Sequence, residues 1–324
     1  MKIVFMGTPD FAVGTLEALV GAGHEVTCVV TQPDKPKGRG KEMQFTPVKE
    51  CAIKYGIPVF QPVKIKEAEQ VAILKAYEAD LYVVAAFGQI LSQEILDIPR
   101  FGCVNVHASL LPKYRGAAPI QRAILDGERE TGVTIMQMNA GLDTGDMLSR
   151  VVVPIADTDT GDTLHDKLSA AGAKLLVETL PLIESGRVNR EKQDDTQATY
   201  AKMLNKAMGR IVWEKSAEEI GRLVRGLNSW PSAFTTFRGK TLKIWEACVR
   251  TGQQAKGQED REEAGNISLR AEPGCVTEVT KDSFTVQTGN GELVVRTVQM
   301  EGKKRMAVKD FLLGYPVKPG EQLG

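Results

Sequence analysis

The apolar run Cys103-Val-Asn-Val-His107 carries two polar residues spaced by two. Side chains alternate along a β-strand, so Asn105 and His107 share one face while Val104 and Val106 take the other. Further along, Gly141-Leu-Asp-Thr-Gly-Asp146 sets Asp143 between glycines that permit close backbone turns. An amide, an imidazole and a carboxylate in one cleft suit a carbonyl that passes through a tetrahedral oxyanion. The pattern predicts acyl transfer, with His107 as general acid or oxyanion donor. A lone strand-end histidine is more often structural, but Asn105 beside it and the Ser109-Leu-Leu-Pro112 turn after it favour chemistry. Asp143 on its own would read as a turn former, like Asp146. Its value is as a partner for His107.

The remaining signals weigh less. Gly7-Thr-Pro-Asp10 follows the first apolar run, where a nucleotide-binding fold carries its phosphate loop. The G-x-G-x-x-G fingerprint is absent and Asp10 would repel a phosphate, so no NAD is expected. His24 reads as a surface residue, and His165 as structural on its helix. The segment Thr31–Lys41 holds four basic residues, two prolines and two glycines. It reads as a solvated loop or as a grip on a phosphate backbone. Five scattered cysteines form neither a C-x-x-C pair nor a Cys/His cluster, so neither disulfides nor a metal site are expected.

These residues need elements to hold them. Lys2–Met6, Glu25–Thr31, Pro58–Phe60, Leu81–Phe87, Cys103–His107, Val133–Met138 and Leu148–Ile155 read as strands. Helical spacing recurs after Asp10 up to Gly21, at Val48, Cys51, Ala52 and Tyr55, and at Val71, Leu74 and Tyr77. A long stripe runs from Leu164 through Leu168, Leu176 and Leu180 to Ile183 and stops at Gly186. Near-continuous apolar strands alternating with helices predict an α/β, Rossmann-like, mainly parallel sheet with helices on both faces. Residues 187–210 are polar and weakly periodic, as a linker would be. After a helix near Ala217–Leu227, short strands at 234–237, 242–249, 274–279, 284–288 and 293–299 predict a small C-terminal β-barrel of OB-like type. The domains are thus expected at 1–186 and 211–324, with 251–266 as a solvated hairpin loop.

At 324 residues two domains are the natural division, and the formal net charge is zero. Residues 200–324 hold 20 Lys/Arg against 15 Asp/Glu, leaving 21 against 26 for residues 1–199. The second half is modestly basic, as a nucleic-acid contact would require, although drift of surface charge gives the same count. No secretory leader or membrane-length apolar run is read, so the chain is expected to be cytoplasmic and off the membrane; a monomer is expected as well.

With these residues in hand, the chain resembles the folate-dependent formyltransferases, and within them the family acting on methionyl-tRNA. The resemblance is carried by Phe5-Met-Gly-Thr-Pro-Asp-Phe11, Thr31-Gln-Pro-Asp34 and Gly38-Arg-Gly-Lys41, and by Asn105-Val-His-Ala-Ser-Leu-Leu-Pro112. Tyr114-Arg-Gly-Ala-Ala-Pro-Ile-Gln-Arg122, Glu130–Met138, Gly141–Asp146 and Asn228-Ser-Trp-Pro231 extend it nearly end to end. It implies formyl transfer from N10-formyltetrahydrofolate to the α-amine of methionine on initiator tRNA, with no metal and no nicotinamide. Asn105 and His107 would donate to the oxyanion, and Asp143 would hold His107 and help remove the amine proton. Ser109, Leu110, Leu111 and Pro112 would line the folate site, with Phe87, Gly88 and Leu91 as a second wall. Lys37, Arg39 and Lys41 would meet the tRNA. The trio fixes the reaction class only. A formyltransferase acting on an amino-sugar nucleotide, a hydrolase releasing formate and a non-catalytic RNA-binding module are the rival readings.

Overall fold

The computed structural model describes residues 1–37, 42–250 and 271–324, with the side chains of Lys37 and Glu42 not included. The expected tRNA contacts at Lys37, Arg39 and Lys41, and the expected loop at 251–266, therefore lie outside the described residues or side chains. The chain divides into two compact units. The first comprises Met1–Pro119, Arg129–Ile155 and Thr163–Lys202; the second comprises Ile120–Glu128, Ala156–Asp162 and Met203–Gly324.

Up to residue 202 the strands are β1 (Lys2–Gly7), β2 (Glu25–Val30), β3 (Lys35–Lys37), β4 (Glu42–Gln44), β5 (Val59–Phe60), β6 (Leu81–Ala85), β7 (Cys103–His107), β8 (Arg115–Gly116), β9 (Glu130–Gln137), β10 (Met147–Pro154) and β11 (Tyr200–Ala201). The helices are α1 (Val13–Gly21), α2 (Pro47–Lys54), α3 (Ala68–Lys75), α4 (Gln93–Leu96), α5 (Pro119–Leu125) and α6 (Gly161–Glu184). Seven strands form one sheet in the order β10-β9-β7-β6-β1-β2-β5. Five of them are parallel, and β9 runs antiparallel to both β7 and β10. Every residue of β6 is buried, and β1 is buried from Ile3 onward, because a parallel sheet covered on both faces leaves no polar side. Helix α1 carries the chain from β1 to its parallel neighbour β2, burying Leu16 and Leu19 completely.

That topology sets the carboxyl ends of β1, β6 and β7 side by side, with Gly7 opposite Ala85 and Val84 opposite Asn105. Ligands of open α/β sheets bind in the crevice outside such ends. Gly7 is required by packing there, since a Cβ would sit 2.7 Å from Ala12 Cβ and 2.9 Å from the Ala85 carbonyl oxygen.

Several elements depart from the sequence expectation. The helix expected directly after Asp10 starts at Val13, because Asp10–Ala12 forms a 3-10 turn before it. The basic loop contains an antiparallel pair, β3 with β4. At its root Lys49 pairs with Asp34, holding that carboxyl below its usual pKa, and Gln61 donates to both Asp34 and the Gln32 carbonyl. The stretch expected as a linker is built into the first unit as far as Lys202, because β11 pairs in parallel with β8.

In the second unit, α7 (Ala217–Gly226) precedes β12 (Ala233–Phe237), β13 (Lys240–Arg250), β14 (Val276–Val279), β15 (Phe284–Gln287), β16 (Glu292–Met300), β17 (Met306–Ala307) and α8 (Val308–Gly314). The antiparallel sheet has the order β12-β13-β16-β15-β14, with β17 on β16. It surrounds one apolar core that includes Phe237, Ile244, Phe284, Val295 and Phe311. Register shifts around Glu246 bend β13, as a barrel-like sheet requires. Among the described residues no ladder joins β12 to β14.

The expected boundary near residue 186 is also too simple. Segments 120–128 and 156–162 group with the second unit, where arginines of α7 meet their carbonyls. Arg222 Nε donates to Leu125 O at 3.2 Å, and Arg225 Nη1 to Asp159 O at 2.8 Å. Among the described residues no helix is long and apolar enough to cross a membrane.

Candidate active site

Strand β7 delivers Asn105 and His107 as its alternation predicts: Asn105 is half-buried and His107 is 6% exposed. The pairing of β7 with β6 runs only as far as Asn105, so His107 projects beyond the parallel ladder. On its other side β9 continues the sheet, placing Thr134 opposite His107. The His107 ring is fixed by a 3.0 Å bond between Nε2 and the Tyr114 carbonyl. A carbonyl oxygen can only accept, so Nε2 carries a proton and Nδ1 is the nitrogen left for the cleft.

Nδ1 lies 3.8 Å from Asp143 Oδ2, close enough for charge interaction but longer than a hydrogen bond. The same Oδ2 accepts the Gly116 N–H at 2.8 Å. Asp143 adopts φ 52°, a left-handed conformation that is uncommon outside glycine and enriched for aspartate. Its loop is stitched by Asn139, whose Oδ1 accepts from Gly141 N and Thr144 Oγ1. Gly145 allows the backbone to close, since a Cβ there would stand 1.7 Å from the Gln137 carbonyl oxygen. His107 and Asp143 come together from 36 residues apart in a partly enclosed setting.

The expected folate-lining residues are placed less simply. Ser109 is fully buried, with Oγ donating to Lys113 O at 2.6 Å. Leu111 is buried against Met136 and Met147, and its N–H donates to Thr134 Oγ1. Leu110 and Pro112 are half-buried. On the second wall Phe87 and Leu91 belong to the core, whereas Gly88 at φ 81° is exposed. The Phe87 carbonyl accepts from Thr8 Oγ1 and Gln32 Nε2, which fixes the turn to the ends of β1 and β2. Side chains of Ser109, Leu111, Phe87 and Leu91 therefore shape the turns from within. The surface near them is supplied by backbone, by Leu110 and by Ile90, which is 82% exposed.

Two residues to which the sequence pattern gives no role, Gln193 and Arg115, join the site. Gln193 Nε2 donates to the carbonyls of Asp143 and Gly145, each at 2.8 Å. Arg115, 2% exposed, gives Nε to Gln193 Oε1 at 2.9 Å and Nη2 to Asp195 Oδ1 at 2.7 Å. Burial opposes the Arg115 charge, but Asp195 and Tyr200 outweigh it and hold its pKa above the usual value. The only sequence signal was a cluster of polar residues around Gln193, which has no periodicity to interpret. Among the described residues no group of three His, Cys, Asp or Glu side chains is placed to hold a metal.

The arrangement offers an amide, an imidazole and a carboxylate at the open end of a parallel sheet. A family model described as "Formyl transferase" matches residues 1–180, and one described as "Formyl transferase, C-terminal domain" matches residues 203–316. A protein of Agathobacter rectalis named methionyl-tRNA formyltransferase is 55% identical over 320 residues, covering 99% of this chain and 98% of its own. Among solved structures, HypX from Aquifex aeolicus superposes with a TM-score of 0.65 at 17% identity, covering 98% of this chain. This chain spans about half the length of HypX, covering 48% of it. The N-formyltransferase from Helicobacter canadensis, solved with folinic acid and dTDP-3-aminofucose, superposes with a TM-score of 0.62 at 18% identity. That likeness covers 93% of this chain and 99% of the other, and at such identity it speaks for the fold. The matches span both units at high identity, and the chain belongs to the formyl transferase family.

Proposed function

We propose that the protein transfers a formyl group from N10-formyltetrahydrofolate to the α-amino group of methionyl initiator tRNA. The observation that carries this reading is the meeting of His107 and Asp143, 3.8 Å apart, at the end of the strand that also bears Asn105. The 55% identity to a relative named for this activity supports the choice of acceptor.

The chemistry follows from the atoms. The neutral amine attacks the formyl carbon, and the carbonyl π electrons move to oxygen. Asn105, whose amide makes no hydrogen bond to other described residues, donates to that oxygen. His107, with both ring nitrogens protonated, donates from Nδ1, since its Nε2–H is engaged by Tyr114. The nitrogen loses its proton to Asp143, directly or through a water. The carbonyl re-forms as the bond to folate N10 breaks, the electron pair goes to N10, and N10 takes the proton that Asp143 received from the amine. The donor lies against the Ser109–Pro112 turn and the exposed backbone of Gly88, with Leu110 and Ile90 as apolar surface.

Arg39, flanked by Lys37 and Lys41, contacts the acceptor end of the tRNA in this reading. The second unit adds Trp245, whose ring centre is 4.7 Å from the Arg305 guanidinium and 5.8 Å from Lys243 Nζ. A cation-flanked indole on a sheet is suited to a phosphate backbone and unstacked bases.

An acceptor-dependence assay tests the proposal. The purified protein is given formyl donor with methionyl initiator tRNA, with an amino-sugar nucleotide, or with no acceptor. Formylation of the tRNA alone is expected. Formylation of the sugar alone, or formate release independent of acceptor, would replace this reading with one of its rivals.

A further inference from the structure

The chemistry above assigns nothing to Gln193 or Arg115, although both are tightly committed to Asp143. The Gln193 amide spends both hydrogens on one short loop, taking the carbonyls on either side of Thr144. Its oxygen is engaged by Arg115 Nε. Arg115 adjoins Gly116, whose N–H is the donor that fixes the Asp143 carboxylate. The backbone of that pair is held in turn by β11, with Arg115 N donating to Thr199 O at 2.8 Å. Asp143 is therefore gripped twice from one support: its main chain through Gln193, and its carboxylate through Gly116.

Such a grip matters because φ 52° is an unfavourable conformation for a residue with a side chain. An aspartate there persists only where its surroundings over-determine it. We propose that Gln193, oriented by Arg115, is a positioning residue that keeps the Asp143 carboxylate aimed at His107. The inference rests on the reading of Asp143 as proton acceptor given above. Gln193 touches no reacting atom. Its contribution is geometric, and a displacement of about 1 Å at a catalytic group can cost on the order of 100-fold in rate.

A KM-against-kcat comparison in the full-length protein separates positioning from general support of the fold. Gln193→Ala is expected to lower kcat by about 10- to 100-fold while KM for the formyl donor stays within about twofold. Gln193→Glu should not rescue, because a carboxylate turns an acceptor toward two carbonyls that need donors. Asp195→Ala, at a side chain 81% exposed, should cost no more than a few-fold. On an Asp143→Asn background, Gln193→Ala should add less than about a twofold loss, since the residue it positions is already disabled.

A Gln193→Ala enzyme with wild-type kcat overturns the proposal. So does a loss of the same size on both backgrounds, or an equal loss in donor affinity. Gln193→Met keeps length and volume while removing the hydrogen bonds, and serves if the alanine variant does not fold. Unfolding of both variants would make the residue structural and end the proposal. If Asp143→Asn itself turns over normally, the reading of Asp143 falls instead. A slow Asp143→Asn beside a fast Gln193→Ala defeats only the positioning role.

Discussion

At the scale of single residues, His107 and Asp143 are both oriented by the backbone of Tyr114–Gly116. His107 takes its orientation from the Tyr114 carbonyl, and Asp143 takes its own from Gly116 N–H. Replacing His107 by alanine or Asp143 by asparagine should lower kcat by about 10²–10⁴-fold with donor binding retained. Steady-state kinetics with an independent folate-analogue titration would read both. The cysteines provide a second check. Burial pushes the Cys28 and Cys103 thiols up to about 12, so almost no thiolate forms there near neutral pH. In the folded protein at pH 8, a thiol reagent should modify exposed Cys248 rapidly and leave those two untouched until denaturant is added. The placing of Asn105 and His107 on one strand and of Asp143 in a turn was legible because period-two spacing and flanking glycines are local signals. Gln193 was not, because its partners are 50 and 78 residues away and nothing near it repeats.

At the scale of elements, strands and long helices were readable because burial imposes periodicity on them. Strand β6 is buried throughout, and the stripe from Leu164 to Ile183 became α6. The pair β8 and β11 was invisible for the opposite reason: each strand has two residues, too few to show a period. The early start of β9, at Glu130 in place of the expected Val133, has a similar cause. Its first residues pair with β10 at the sheet edge, where exposed Glu130 breaks the apolar pattern. Two elements give predictions. Gly145→Ala would force the Asp143 loop off the Gln137 carbonyl, and should reduce turnover more than it reduces thermal stability. Helix α7 opens with a capping box in which Ser216 and Glu219 bond each other's backbone. Ser216→Ala should cost about 1 kcal/mol in urea unfolding at pH 7. The backbone N–H and hydroxyl of Ser216 hold the Glu219 pKa below its usual value. Its contribution is therefore present above the unfolded-state pKa and is lost as pH falls through the folded one. The difference between wild type and Ser216→Ala should shrink as the pH is lowered through that range.

At the scale of the whole molecule, two units were expected from length and from the change of pattern after residue 210. What sequence pattern did not reveal is that segments 120–128 and 156–162 belong with the second unit. Two of those contacts are made by arginine side chains with carbonyl oxygens, and a carbonyl is common to every residue. Burial lowers the Arg225 pKa, so this guanidinium depends on partners such as the Asp159 carbonyl. A fragment ending near residue 206 should accordingly melt at a lower temperature than the full chain, because it removes the groups that cover those segments. It should still bind a tetrahydrofolate analogue, since all donor-site residues named above precede residue 113. In the full chain, Trp245→Ala with Arg305→Ala should raise KM for the tRNA and reduce its salt dependence, leaving donor affinity unchanged.

The central claim is that Asp143 and its two partners move a formyl group onto the amine of a charged tRNA. Its most direct test is a single-turnover reaction with enzyme in excess, followed by release and mass measurement of the amino acid. With wild type, the methionine should carry one formyl group, and omission of methionyl-tRNA should leave the donor intact. With Asp143→Asn the same product should form about 10²–10⁴-fold more slowly at saturating donor. Equal rates for the two proteins, or donor consumed as formate while the methionine stays unmodified, would contradict the account.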